Sequence, residues 1–396
     1  MEDNRKFWKG ALCGALATLL VVGIIGGTIV LLSLMGFTDN IISKKTERKL
    51  EVIESIIDST YLYQDEIDET ALQDGIINGY VNGLNEPYTV YFNEEETKAL
   101  FESTAGEFGG VGIGIMQDPT TMQMTFGSIH EGCPGEKAGF EVGDILYKVD
   151  GEDVTGQNLD TVITKIRGEV GTEVELTVFK EGTLEEYTAK MIRELIQNKT
   201  VAYEMKTEQI GYIQVSGFED TTVEQFENAL TALEGQNMNG LIIDLRSNPG
   251  GNLGVVVEMC DMILPEGTIV SIKDRDGKGE TYTSDAERQL SIPLVVLVDG
   301  NSASASEIFA GAVKDYGIGT LVGTTTFGKG IVQNIYSLGD GTSFKLTSSE
   351  YFTPNGTNIH GVGIEPDVFV EYEENEEDPE ADNQLEKAME ILRNGM

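Results

Sequence analysis

The chain has 396 residues, 67 of them acidic against 27 basic, for a net charge of −40. Such an excess of negative charge argues against nucleic acid and against anionic lipid as ligands of the body. Three cysteines and two histidines exclude a disulfide framework and zinc sites built on several Cys or His, and leave a Ser-His-Asp triad only His130 or His360 to use.

Residues Gly10 to Thr38 carry no charge, and Ala11 to Met35 are mostly Ala, Leu, Val, Ile and Gly. At about 1.5 Å per residue the run crosses a hydrocarbon core of ~30 Å with some tilt. With no convincing small-x-small cleavage site after it, the run predicts a retained transmembrane signal anchor over 10–36, against the alternative of a cleaved signal peptide. Arg5, Lys6 and Lys9 precede it, and Lys44, Lys45, Arg48 and Lys49 follow it, so basic residues alone do not orient it. A cytoplasmic tail of residues 1–9 and an exported body fit the lengths on the two sides.

Over 37–107 the apolar spacing of "LEVIESII" and "ALQDGIINGYVNGL" predicts helices, with Asp68 or Thr70 as a cap and "NEPYTVYF" as a break. From Phe108 the texture turns Gly-rich and alternating. "GGVGIGIMQD" reads as a glycine loop entering a strand, "NLDTVITKIRG" as an amphipathic helix capped by Gly168, and "EVELTVFK" and "LEEYTAKMI" as strands. Residues 108–192 thus predict one β-rich module with two helices. Strand and helix alternate over 193–372, which predicts an α/β domain with a helix-covered sheet. Eight acids and no base lie between Glu371 and Asp382, a solvated linker, and Asn383 to Arg393 predicts a last helix within 373–396.

"DGNSASASEIFAGA", Asp299 to Ala312, places three serines where a buried strand turns into a helix. Ser304 and Glu307 fit a capping box, so an ordinary N-cap is one reading. The other is a nucleophile at a helix N-terminus, where free N–H groups stabilise developing negative charge. Such a serine needs a base, and "TTTFGKGIVQN" offers Lys329, on one face of an extended segment with Ile331 and Gln333. Desolvation beside Phe327 and Ile331 would make that lysine a base, whereas a surface lysine in a glycine turn is the plainer alternative. "LIIDLRSNPGGNLG" exposes backbone N–H groups at a strand end that suit an oxyanion, or forms a simple strand-to-helix turn; it matches no phosphate loop.

Together these segments resemble the carboxy-terminal processing peptidases, the tail-specific serine proteases of the S41 class. The resemblance extends over most of the chain, through "NEPYTVYF", "GEKAGFEVGDILYKVDG", "LIIDLRSNPGG", "VDGNSASASEIFAGA", "GTTTFGKGIVQ" and "YFTPNGTNIHGVGIEPD". It implies a multidomain α/β protein: transmembrane helix, helical arm, PDZ domain at 108–192, and a ClpP/crotonase-like core at 193–372. It implies Ser304 as nucleophile, Lys329 as general base and Gln333 as the group that orients the lysine, with Ser302 and Ser306 as helper or structural hydroxyls. Ala305 and the Gly250–Gly251 turn would supply the oxyanion donors, the choice of glycine staying open. Gly110, Val111, Gly112 and Ile113 would hold a substrate's terminal carboxylate, and Arg167 would couple bound peptide to the active arrangement, unless it simply complements a helix dipole. Partners would be protein or peptide substrates with a free C-terminus and a second copy in a homodimer, with no metal or organic cofactor. Cys133 stands where the family usually has Ser or Thr, as a small buried residue or a thiol facing the PDZ surface, and His360 is expected in the strand and turn closing the core. The rivals are a non-catalytic PDZ scaffold that captures tails and an acyl-CoA enzyme of the crotonase type, for which a PDZ domain has no use.

Overall fold

The structure is a computed structural model that describes residues 42–395 apart from 286, 376, 377, 379 and 380. The anchor expected over 10–36 lies outside the described residues, and among them no helix is long and apolar enough to cross a membrane. Two compact units divide at Gly75.

The first unit contains helix α1 (Lys44–Thr60) and the start of α2 (Glu69–Asn82). Asp68 caps α2 as expected, its Oδ1 accepting from the Ala71 N–H at 3.0 Å. No residue of α1 is buried, so Val52, Ile53 and Ile56 face outward.

In the second unit, the break expected at "NEPYTVYF" contains a strand, β1 (Val90–Phe92). Its β-branched and aromatic side chains suit a pleated surface. Helix α3 (Glu94–Ala105) opens on a capping box between Asn93 and Glu96 and ends on Gly106 in the left-handed region.

The β-rich module follows: β2 (Glu107–Gly110), β3 (Ile113–Gln117), β4 (Met124–Ile129), the one-turn α4 (Pro134–Lys137), β5 (Ile145–Val149), β6 (Glu152–Asp153), α5 (Leu159–Ile166), β7 (Glu173–Phe179), β8 (Glu186–Ile192) and β9 (Glu194–Gln197). Strands β3-β4-β5-β7-β8 form one antiparallel sheet with β3 at its edge, while β2 pairs with β9 and ties the module's ends together. Helix α5 does not reach the Gly168 cap expected of it. Arg167 is already extended (φ −68°, ψ 162°), and the last carbonyls of α5, on Lys165 and Ile166, accept from the buried Arg193 guanidinium.

The remaining elements are β10 (Val201–Met205), β11 (Ile210–Val215), α6 (Thr222–Gly235), β12 (Gly240–Asp244), α7 (Leu253–Asp261), β13 (Gly267–Asp274), β14 (Thr281–Ser284), β15 (Leu294–Val298), α8 (Ala305–Tyr316), β16 (Gly319–Gly323), β17 (Ile331–Ser337), β18 (Ser343–Phe352), β19 (Val368–Phe369) and α9 (Asn383–Gly395). The central sheet runs β10-β11-β12-β15-β16-β19, parallel except for β10. β12 and β15 are buried along their whole length, as near-continuous apolar runs in a sheet covered on both faces should be. Alternation sorts their side chains. Leu241, Ile243, Val296 and Val298 share a core with Phe226, Val256 and Phe309 of α6, α7 and α8, whereas Ile242, Val295 and Leu297 pack with Ala388 and Leu392 of α9. A second, antiparallel sheet joins β1, β13, β14 and β17 through the long β18. The carboxyl ends of β12 and β15 emerge side by side, where open α/β sheets place their ligand crevice.

Candidate active site

The loop after β15 is tied to the turn after β12 residue by residue. Ser302 Oγ donates to the Leu245 carbonyl at 2.8 Å, Ser306 Oγ to the Asn248 carbonyl at 2.9 Å, and the Ala303 N–H to that same carbonyl at 3.0 Å. Both flanking serines are fully buried and spent on these bonds. Ser304 between them is half-buried and lines an open cleft of about 600 Å³. Its backbone stands at φ 56°, ψ −114°, a sparsely populated conformation of the kind that costs on the order of 1–3 kcal/mol and gathers at functional sites. Ser304 and Glu307 form the expected capping box, the Glu307 carboxylate taking the Ser304 N–H at 2.9 Å, but Ser304 lacks the extended backbone of an ordinary N-cap.

Gly250 (φ 102°) lies so close to this loop that a Cβ on it would fall 2.8 Å from Ser304 Cβ and 2.9 Å from the Ala305 nitrogen. Glycine serves here for close approach as well as for its positive φ. The Gly250 N–H already donates to Asn248 Oδ1 at 2.9 Å, whereas no hydrogen bond of the Gly251 or Ala305 N–H is found among the described residues. The turn is also fastened from behind. Arg246 binds Asp244 at the end of β12 and, across the sheet, Asp382 (2.8 Å) and Gln384 (2.9 Å) at the start of α9.

Glu307 links this loop to the lysine. Fully buried, it accepts from the Ser304 N–H, from the Lys329 N–H at 2.8 Å, from the Gly328 N–H at 2.7 Å and from Thr326 Oγ1 at 2.6 Å. One carboxylate thus fixes the backbones of both the serine and the lysine. The Lys329 side chain enters the same cleft, and burial lowers its pKa below the ordinary lysine value, with Lys345 adding to the effect and Glu86 and Glu307 opposing it. Its Nζ rests 4.6 Å over the Tyr88 ring, and no hydrogen bond joins it to Ser304 Oγ among the described residues. Gln333 also lines the cleft, but its Nε2 donates to Thr347 Oγ1 (3.2 Å), which in turn donates to Glu86 Oε2 (2.8 Å). The alternation expected of 329, 331 and 333 is interrupted by a bulge between Val332 and Gln333, yet all three residues face the cleft.

The second group of expected residues gathers in the β-rich module. Gly110, Val111, Gly112, Ile113 and Arg167 line a groove of about 210 Å³ between the edge strand β3 and helix α5, with Ile163 and Ile166 as its apolar wall. The Arg167 guanidinium lies 3.9 Å over the Phe108 ring, and burial lowers its pKa, opposed by Glu102. Cys133 is half-buried against Gly112, and His360 is exposed on the turn beyond β18. Sequence reasoning gave no role to Tyr88, Glu86 or Thr347, and saw only a cap in Glu307. "NEPYTVYF" was the available signal, as a motif without a chemistry.

Residues 209–370 match peptidase family S41, 125–179 match a PDZ domain, and 37–97 match the N-terminal domain of the activating protease CtpB. The chain is 36% identical over 311 residues to a carboxy-terminal-processing protease of Bartonella bacilliformis, covering 77% of this chain and 70% of that one. It is 36% identical over 331 residues to the carboxy-terminal processing protease CtpB of Bacillus subtilis, covering 82% and 68%. A solved S41-class structure from Bacteroides fragilis shares the fold at TM-score 0.51 and 16% identity, covering 87% of this chain and 97% of that one.

Proposed function

Because the chain belongs to peptidase family S41, as a carboxy-terminal processing serine protease with a PDZ domain, we propose that it cleaves with a Ser304–Lys329 dyad on substrates captured by their C-terminal tails. The supporting observation is the Glu307 carboxylate, which binds the backbone N–H of both residues and so sets nucleophile and amine on one frame. Ser304 Oγ attacks the peptide carbonyl while neutral Lys329 takes its proton and then delivers it to the leaving amine; water, activated by the same amine, releases the acyl group. The Gly251 and Ala305 N–H groups hold the oxyanion, and Gly250 lets the turn come close enough. Gln333 orients the amine once Lys329 leaves the Tyr88 ring, in keeping with catalytic hydrogen bonds that tighten only in the substrate complex. A tail adds as a strand to the open edge of β3, its carboxylate on the Gly110–Ile113 loop, with Arg167 beside it to report occupancy.

The uncharged run over 10–36 supports a single-pass anchor with the body outside the cytoplasm, and the outward apolar side chains of α1 support a homodimer. Cleavage of an unfolded test protein with an apolar C-terminus should vanish in Ser304→Ala and Lys329→Ala and persist in Ser306→Ala. Equal cleavage by all of them would sink the dyad. In fractionation the full chain should follow the membranes and a chain from residue 40 onward should not; recovery of both in the soluble fraction would remove the anchor.

A further inference from the structure

Two lysines line the cleft of Ser304. Lys345 sits within β18, opposite Ile335 on one side and Val90 on the other, and its side chain lines the same cleft as that of Lys329. Its Nζ lies 5.1 Å over the Phe92 ring as that of Lys329 lies 4.6 Å over Tyr88, so one short stretch, residues 88–92, seats both ammonium groups. Neither forms an ion pair among the described residues. An aromatic face steadies a cation without neutralising it, so the two positive charges are left to act on one another.

The carboxylate placed to temper both is Glu86. It is bound by the Tyr88 N–H (3.0 Å), Thr89 Oγ1 (2.6 Å) and Thr347 Oγ1, and through Thr347 it reaches Gln333. Thr347 follows Lys345 by two residues in β18, on the same face of the strand. From α8, Glu307 faces the Lys329 backbone with its oxygens already taken, and the Tyr351 hydroxyl donates to the Ser304 carbonyl. Lys273, Arg275, Glu350 and His360 share a neighbouring cavity with Glu86 and Tyr88.

We propose that Lys345 is a positioning residue for the general base: its half-buried ammonium disfavours a second positive charge on Lys329 and so keeps that amine in the neutral, proton-accepting form, with Glu86 as the opposing charge that sets how far. The inference rests on Lys329 being the base. Burial first, then Lys345, lowers the Lys329 pKa, and Glu86 acts against both lysines in the same sense. Two such amines lose their protons in two coupled steps, and removing one leaves the other to titrate later.

The test is the pH dependence of kcat/KM of the full chain on fluorescently labelled casein. In Lys345→Met the acid limb should move up by about one pH unit, lowering the rate near neutrality roughly tenfold while the alkaline plateau recovers. Lys345→Arg, which keeps the charge, should leave the limb in place, and Glu86→Gln should move it down. A Lys345→Met limb that stays in place, with a uniform loss at every pH, overturns the proposal. If that variant does not fold, by circular dichroism, Glu86→Gln decides, and an unmoved limb overturns it equally. Full activity in Lys329→Ala overturns the base assignment beneath it, and the inference with it.

Discussion

Glu307 has no exposed surface, and four donors from two separate segments converge on its two oxygens. Glutamine in its place would point an amide N–H₂ at backbone donors that also have nothing to accept, loosening the link between Ser304 and Lys329. A misplacement of about 1 Å costs roughly 10²-fold in rate. Glu307→Gln should therefore show kcat reduced by about that factor, with KM little changed and a native circular dichroism spectrum; a wild-type kcat would dismiss the linking role. Lys329 makes a second expectation at this scale. Its folded pKa lies below the ordinary 10.5, so between those two values the unfolded chain binds more protons. Stability contributed by this site therefore rises with pH across that window, and Lys329→Met should raise the Tm near neutral pH by an amount that shrinks as pH climbs. The nucleophile and base candidates were legible in the sequence because serines at a helix start and a lysine between glycines stand out locally. Glu307 was half legible: its bond to Ser304 spans three residues, whereas its bonds to 326–329 span nineteen to twenty-two and leave no trace in any short window. Nor does a serine announce φ 56°, since serines at helix starts are ordinarily extended.

Among elements, the edge strand β3 and helix α5 matter most, because their spacing is the width of the groove. The loop entering β3 has little room to change. Gly112 stands at φ 71°, and a Cβ there would fall 2.7 Å from Cys133 Sγ. Gly112→Val should consequently weaken binding of a peptide with an apolar, free C-terminus at least tenfold while leaving the dyad's geometry untouched. Titration of a fluorescent peptide checks it, and unchanged affinity would move the tail site elsewhere. The strands and helices of this module were readable from alternation and glycine turns. The end of α5 was not, because Gly168 suggested a left-handed cap where the structure caps the helix with a guanidinium from Arg193, twenty-five positions further along the chain. Similarly, "VYF" at 90–92 is too short to declare itself a strand without the partner it finds in β18.

At the scale of the molecule, the parallel sheet presents the Ser304 loop and the Gly250–Gly251 turn to the cleft, while the antiparallel sheet presents Gln333 and Lys345. The α/β class followed from the βα alternation, but the acidic stretch before the last helix read as solvent-facing linker only. Asp382 at its end is instead one jaw of the clamp on Arg246, and α9 buries Ala388 and Leu392 under the sheet. Arg246→Ala would leave Asp244 buried without its cation, and breaking such a pair costs about 3–5 kcal/mol. The loss should appear as a lower Tm and a larger drop in turnover than in peptide affinity, measured side by side; equal drops in both would mean that the clamp serves the whole fold rather than the turn.

That clamp gives the enzyme a fuse. The last helix is held to the sheet by the Arg246 guanidinium, by the Gln384 amide on the Val370 carbonyl and by an apolar face centred on Ala388 and Leu392, and the same guanidinium steadies the turn proposed to bind the oxyanion. Warming that releases the helix would then silence hydrolysis while the tail-binding module, with its own separate core, stays folded. A sample brought slowly up in temperature should fall quiet several degrees before it melts, and regain its voice on cooling.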